Sequence, residues 1–290
     1  MASKSVQSGT TPAQESMDRG SSSSSDDDDN NSVDNKQGGS GGLSGTDVMK
    51  NTLQSCETIE IRQDRRGWLQ ECFCCITKSD FRYLTNDGSS SKSIEIARSK
   101  EEFTFPCRCC FAPCHAFDMT IKDTNKDTGP EEFLEVNRPF RCCVGTCKCC
   151  CNQEATIFSG DDHLGDIRES FWCCVPTFKV YDNEKQEIYM IRPPTCWNGM
   201  CIDCTGPEGD KHLCCPHGCC MIPCDIYPSS NEDTDRIGRM AKIPKKTLRE
   251  TYNETNYYKI QFPNDATTNQ KGLLLGSSIL INALYFENSE

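Results

Sequence analysis

Residues 272–286 read Gly-Leu-Leu-Leu-Gly-Ser-Ser-Ile-Leu-Ile-Asn-Ala-Leu-Tyr-Phe, an almost unbroken apolar segment. As a helix over about 271–286 it would be roughly 22 Å long, against a bilayer hydrocarbon core of about 30 Å. No other stretch comes closer to the roughly 18–20 apolar residues that a spanning helix requires. Leu273, Leu274, Leu275, Ile279, Leu280, Ile281, Leu284 and Phe286 leave it no polar face. Such a helix needs apolar walls on every side. Its length favours a buried core helix, with membrane insertion as the alternative.

The walls are visible upstream as short alternating segments. Thr58-Ile-Glu-Ile-Arg62 and Ser93-Ile-Glu-Ile-Ala97 alternate in hydropathy, and Phe81–Thr85 runs into the turn signal Asn86-Asp-Gly88. Further strand candidates are 117–122, 133–136, 154–158, 178–181, 188–191 and 222–226. Two stretches repeat one another. Phe117-Asp-Met-Thr-Ile-Lys-Asp123 passes through a turn to Phe133-Leu-Glu-Val-Asn-Arg138-Pro139, and Phe178-Lys-Val-Tyr-Asp182 passes through a turn to Ile188-Tyr-Met-Ile-Arg192-Pro193. Each is a hairpin in which proline ends the ladder. A duplicated hairpin in a mainly β chain predicts a sheet that closes on itself, with the apolar helix as its filling.

Residues 1–50 are rich in Ser, Gly and Asp, with Ser21–Ser25, Asp26–Asp29 and a Gly-rich run at 38–42. Such a segment buries too little apolar area to offset its ordering entropy and predicts a disordered acidic tail. Residues 51–290 then make one domain. Net charge is −12, which argues against a general nucleic-acid binder.

Twenty-four cysteines stand in this chain, many in doublets and runs. Residues 1–50 hold no apolar run of the secretory type, so a secreted disulfide framework is the weaker expectation. Reduced thiols leave a lipid or a metal. The densest run is Cys142-Cys143-Val-Gly-Thr-Cys147-Lys-Cys149-Cys150-Cys151, with Arg138, Arg141 and Lys148 among it. Cations lower thiol pKa and attract anionic headgroups, and two or more acyl chains anchor where one does not. Zinc asks for thiolate pairs two to four residues apart. Cys201, Cys204, Cys215, His217 and Cys219 offer that spacing, though irregularly.

Longer motifs supply a family resemblance. His115-Ala-Phe-Asp-Met-Thr-Ile121, Arg138-Pro-Phe-Arg-Cys142, Cys149-Cys-Cys-Asn-Gln-Glu154, Pro176-Thr-Phe-Lys179, Ile260-Gln-Phe-Pro263 and the stretch from Lys271 to Tyr285-Phe286-Glu287 occur in one order. From about Glu57 to Glu287 the chain resembles the phospholipid scramblase family. The resemblance implies a tubby-like fold, a closed antiparallel barrel of about twelve strands around a C-terminal helix. It also implies calcium-stimulated, ATP-independent bidirectional movement of phospholipids across a bilayer. Thioester acylation at the cysteine run would hold the protein to the cytoplasmic face of the plasma membrane, with nuclear import in some members. The implied partners are phospholipids, the membrane and its anionic headgroups, and a homo-oligomer would help to build a polar path.

Two further candidate segments follow. The family's calcium run aligns with Glu254–Thr267, where Glu254, Asn256, Asp265 and Thr267 carry oxygen but only two of them carry charge. Fewer carboxylates imply weaker calcium binding. Arg236, Arg239, Lys242, Lys245, Lys246 and Arg249 form a basic run. It reads as an import signal, as a footprint on anionic lipid, or as an ordinary solvated strand face. No P-loop, G-x-S-x-G or H-E-x-x-H motif occurs, and no conventional enzyme is expected. The other readings are a membrane-tethered adaptor or nuclear interaction protein without lipid transport, and a zinc-stabilised intracellular binding module.

Overall fold

Alternation decides the architecture. In β1 (Thr58–Asp64), Ile59 and Ile61 are fully buried while Glu60 and Arg62 point outward; in β4 (Phe117–Asp123), Phe117, Met119 and Ile121 are buried. A computed structural model describes residues 44–64, 80–86, 93–102, 115–124, 131–141, 152–170, 175–196, 201–202, 222–229, 235–243 and 254–286. All of them lie in one unit, residues 42–290.

The remaining barrel strands are β2 (Asp80–Asn86), β3 (Ser93–Glu102), β5 (Glu132–Arg138), β6 (Glu154–Ser159), β7 (Asp162–Glu169), β8 (Phe178–Asp182), β9 (Glu187–Arg192), β12 (Ile222–Pro228), β13 (Gly238–Lys242) and β14 (Glu254–Gln261). Between β9 and β12, β10 (Thr195–Cys196) and β11 (Cys201–Ile202) pair as a separate two-stranded ribbon. The other twelve strands form a closed barrel in which every neighbouring pair is antiparallel. It closes where β14 pairs with β1, Gln261 opposite Thr58 and Glu254 opposite Asp64. The expected closed barrel is present, and its two repeated hairpins are β4–β5 and β8–β9. At the β7–β8 seam Gly165, at φ +153°, runs so close to Tyr181 that a Cβ would sit 2.0 Å from its carbonyl oxygen.

The helix fills the barrel. Helix α2 spans Thr268–Ile281 and continues as a π-helical turn over Asn282–Phe286, so it starts three residues before the expected position. Its first turn is polar, which hid its start from a count of apolar residues. Leu273, Leu274, Leu275, Ile279, Leu280 and Ile281 are at most 2% exposed. A Cβ on Gly276 would lie 2.8 Å from Ile157 of β6, so helix and wall are in close contact. At about 21 Å long, α2 matches the height of the strands around it.

One helix was not expected. Helix α1 (Gly45–Leu53) lies partly within the stretch read as tail and buries Val48, Met49 and Leu53. Met49 packs over Gly272 at the N-terminal end of α2. Lys271, 9% exposed, donates from Nζ to the carbonyl oxygens of Leu53 (3.3 Å), Gln54 (3.0 Å) and Cys56 (2.9 Å). A cation therefore satisfies the open acceptors at the α1 C-terminus, where the helix dipole also favours it.

The outer wall is charged. Arg82 pairs with Asp64, Lys122 with Glu132 (2.7 Å) and Lys179 with Glu187 (2.8 Å). Membrane-spanning barrels carry the reverse pattern, with apolar residues outside and polar ones within.

Candidate functional site

Barrel topology sorts the connections into two ends. One end carries those between β1–β2, β3–β4, β5–β6, β7–β8, β9–β12 and β13–β14. The other carries β2–β3, β4–β5, β6–β7, β8–β9 and β12–β13, together with both links to the helices. Twenty-two of the twenty-four cysteines fall in the first set. The two others, Cys56 and Cys224, are buried free thiols. In Cys224, burial pushes the thiol up to about 12, so it is an inert core residue. The acylation candidates Cys142, Cys143, Cys147, Cys149, Cys150 and Cys151 lie outside the described residues, in the connection between β5 and β6.

What is described is the base of that connection. Arg138, at the end of β5, is 1% exposed; its Nη2 donates to Gln153 Oε1 at 2.8 Å and its guanidinium lies over the Phe117 ring. The Gln153 amide donates to the Arg141 carbonyl at 3.0 Å, and the Gln153 backbone N–H donates to Glu169 Oε2 at 3.2 Å. Arg141 bonds Glu154 through its guanidinium and reaches the Asn152 carbonyl at 3.4 Å. Residues 138–141 and 152–154 are thus clasped together, with the cysteine run emerging between them. Nearby, His115 Nε2 meets Glu101 Oε1 at 3.0 Å with both side chains almost fully buried.

Of the cations expected beside the thiols, Arg138 bonds Gln153 inside the barrel end and Arg141 bonds Glu154. The thiols themselves lie outside the described residues. Gln153 was quoted in a motif but given no role. Its signal was its place directly after the cysteine run, where a side chain with both donor and acceptor can close a loop.

The calcium candidates do not form one site. Glu254 and Asn256 lie in β14, whereas Asp265 and Thr267 follow it. Seven residue steps separate Glu254 from Gln261, or about 23 Å along the strand, while calcium takes its oxygens at about 2.4 Å. Asp265 sits at the opposite end from Glu254, and this carboxylate adds to burial in pushing the Tyr189 hydroxyl up to about 12. Thr267 is the N-cap of α2: Oγ1 accepts from the Gln270 N–H at 3.4 Å, and the Thr267 N–H donates to Gln270 Oε1 at 2.8 Å. Replacing Thr267 by Ala costs about 1 kcal/mol of stability as a lost cap. Urea unfolding checks this, and an unchanged midpoint would reject the assignment.

The basic run divides likewise. Arg239 is a bidentate partner of buried Asp225, with Nη2 3.0 Å from Oδ2, and Arg236 approaches the same carboxylate at 3.8 Å. Lys242 ends β13. Lys245, Lys246 and Arg249 lie outside the described residues, in the β13–β14 connection. Arg239 and Lys242 are therefore held in the barrel wall, with Arg236 just ahead of it. Of the zinc candidates, Cys201 lies in β11. Cys204, Cys215, His217 and Cys219 lie outside the described residues. Among the described residues no group of three or more His, Cys, Asp or Glu is arranged to hold a metal. Nor is any helix among them long and apolar enough to cross a membrane.

The family model described as Scramblase matches residues 46–207 and 211–288. The chain belongs to the scramblase family. Relatives with this scramblase homology include phospholipid scramblase 2 of Homo sapiens, 23% identical over 189 residues that cover 65% of this chain and 56% of that protein. Phospholipid scramblase 2 of Bos taurus is 25% identical, covering 62% and 53%. Phospholipid scramblase 1 of Homo sapiens is 23% identical, covering 63% and 50%. The chain spans about half the length of the curated relatives it matches. No solved structure gives a significant match.

Proposed function

We propose that this protein moves phospholipids between the leaflets of a bilayer, in both directions and without ATP, as an acylated protein of the cytoplasmic face of the plasma membrane. Membership of the scramblase family carries the reading. The clasped base of the β5–β6 connection supports it, because the stretch that carries the thiol run joins two strands at one end of the barrel. Acyl transfer from a thioester donor exchanges one thioester for another: the cysteine thiolate attacks the acyl carbonyl and the donor's thiol leaves. The charged outer wall and filled core agree with attachment to a membrane rather than passage across it.

Calcium stimulation belongs to this reading as the family implies it, but not through one ion shared by Glu254, Asn256, Asp265 and Thr267. The residues present do not fit one such site. Asp265→Asn and Glu254→Gln should therefore not share one calcium-binding defect. Equal shifts of the calcium midpoint in both variants, with no further shift in the double variant, would contradict this.

The direct test is transbilayer movement of a dithionite-quenchable fluorescent phospholipid in vesicles carrying the acylated protein, with and without calcium. The expected result is bleaching beyond the outer-leaflet half. Bleaching that stops at half in vesicles shown to contain the protein rejects transport and leaves an acyl-anchored interaction module.

A further inference from the structure

Between β9 and β12 the chain leaves the barrel for the small ribbon of β10 and β11. Its register sets Cys196 directly opposite Cys201, with Thr195 opposite Ile202. Directly opposed residues of an antiparallel pair share a face of the ribbon, with Cα atoms about 4.5 or 5.5 Å apart. A disulfide needs about 4.4–6.8 Å between the same atoms. Both kinds of opposed position meet that requirement. The intervening residues read Trp197-Asn-Gly-Met200, and Asn-Gly is a strong turn signal. Sequence and backbone register thus agree on a hairpin with one cysteine in each arm.

Cys224, by contrast, stands opposite Met240 across β12 and β13, and Cys56 lies between α1 and β1; both are buried free thiols. The ribbon is also placed so that its chemistry leaves the barrel intact. Strands β9 and β12 pair directly with each other, Arg192 opposite Asp225 and Tyr189 opposite Pro228. Pro193 and Pro194 end the β9 ladder before β10 begins. A bond within the ribbon encloses only residues 197–200, and so short a loop gains little from closure. Such a bond stays within reach of small thiols.

We propose that Cys196 and Cys201, opposed across the β10–β11 ribbon, form a reversible dithiol–disulfide pair. The oxidant is the disulfide of a small thiol such as glutathione. The thiolate of one cysteine attacks a sulfur of that disulfide, forms a mixed disulfide and expels one small thiolate. The thiolate of the other cysteine attacks the protein sulfur of the mixed disulfide, forms the Cys196–Cys201 bond and expels the second. The two protons lost by the cysteines end on the two small thiols, which also take up the two electrons. An excess of reduced small thiol runs the same steps backwards. Oxidation withdraws both cysteines from acylation and Cys201 from any metal. This chemistry stands apart from lipid movement and does not depend on it.

Met190, Met200 and Met221 make the bond detectable. Full-length protein is equilibrated with reduced and oxidised glutathione at a series of ratios, quenched with acid, alkylated and cleaved with cyanogen bromide after methionine. Fragment 191–200 carries Cys196 alone, and Cys201 opens fragment 201–221. The expected result is that the two fragments are recovered joined through Cys201. At a given glutathione ratio, joined over free fragment should be at least about tenfold higher than for protein unfolded in urea. The Cys204→Ser variant should keep the link, and the Cys201→Ser variant should lose it. Fragment 191–200 recovered alkylated at every ratio, or joined equally well in urea, overturns the proposal. So does a link that Cys201→Ser leaves undiminished or that Cys204→Ser removes.

Discussion

Replacing Lys271 with methionine should lower the unfolding free energy by about 2–4 kcal/mol. Each buried carbonyl left without a donor costs about 1–3 kcal/mol; of the three that Lys271 serves, Leu53 also accepts from the Cys56 N–H at 3.1 Å, so the cost falls on Gln54 and Cys56. Methionine retains most of the apolar stem and removes the cost of burying an ammonium, so the loss stays below the full sum. The consequence is local first. Helix α1 is joined to the barrel through this ammonium and through Met49 on Gly272, so amides of residues 45–53 should exchange with deuterium faster in the variant than those of β4 to β7. Urea unfolding with hydrogen exchange reads both effects. A change below about 1 kcal/mol, or α1 exchange that follows the barrel unaltered, would remove Lys271 from this role.

The second large effect concerns attachment. Changing Cys142, Cys143, Cys147, Cys149, Cys150 and Cys151 together to serine should shift the protein from the membrane to the soluble fraction by two orders of magnitude or more. A single fourteen-carbon chain binds with a constant of only about 10⁴ M⁻¹, and stable anchoring needs a second signal. The expected readout is release of wild-type protein by hydroxylamine, which cleaves thioesters, to the level of the serine variant. Binding that survives in the variant but is lost with hydroxylamine places acyl chains on another connection of the same end. Binding that survives both rejects acylation as the anchor. The serine variant should unfold at the wild-type midpoint, because these positions lie beyond the clasp formed by Arg138, Arg141 and Gln153.

Much of the barrel could be read from side-chain alternation. Ile59 and Ile61 in β1, or Phe117, Met119 and Ile121 in β4, announce one buried and one wet face. The buried helix followed from its unbroken apolar sequence, and the number of strands from the family motifs. Strand β7 escaped because Asp162-His-Leu-Gly-Asp-Ile-Arg-Glu169 buries only its sparse apolar residues, Gly165 and Glu169. Strand β14 escaped because its polar residues, Glu254 and Asn256 among them, suggested calcium ligands. Its pairing partners, β1 and β13, are respectively nearly 200 residues and only a short connection away in sequence. Helix α1 has only Val48, Met49 and Leu53 to bury, too few for a helical period to stand out beside a glycine-rich stretch. At the site, the cysteine run was conspicuous. The acceptors that occupy Arg138, Arg141 and Arg239 were not, since Gln153, Glu154 and Asp225 become partners only once the barrel closes.

A barrel packed solid by its own helix has no bore. Among the described residues, Gly276 lies against Ile157 and the buried leucines beside it fill the axis of the barrel. On the reading proposed above, lipid crossing would take place in the bilayer beside the barrel, not through it. Its rate should then depend on membrane thickness and on the number of protein molecules per vesicle. Headgroup size should matter little, because there is no aperture to fit.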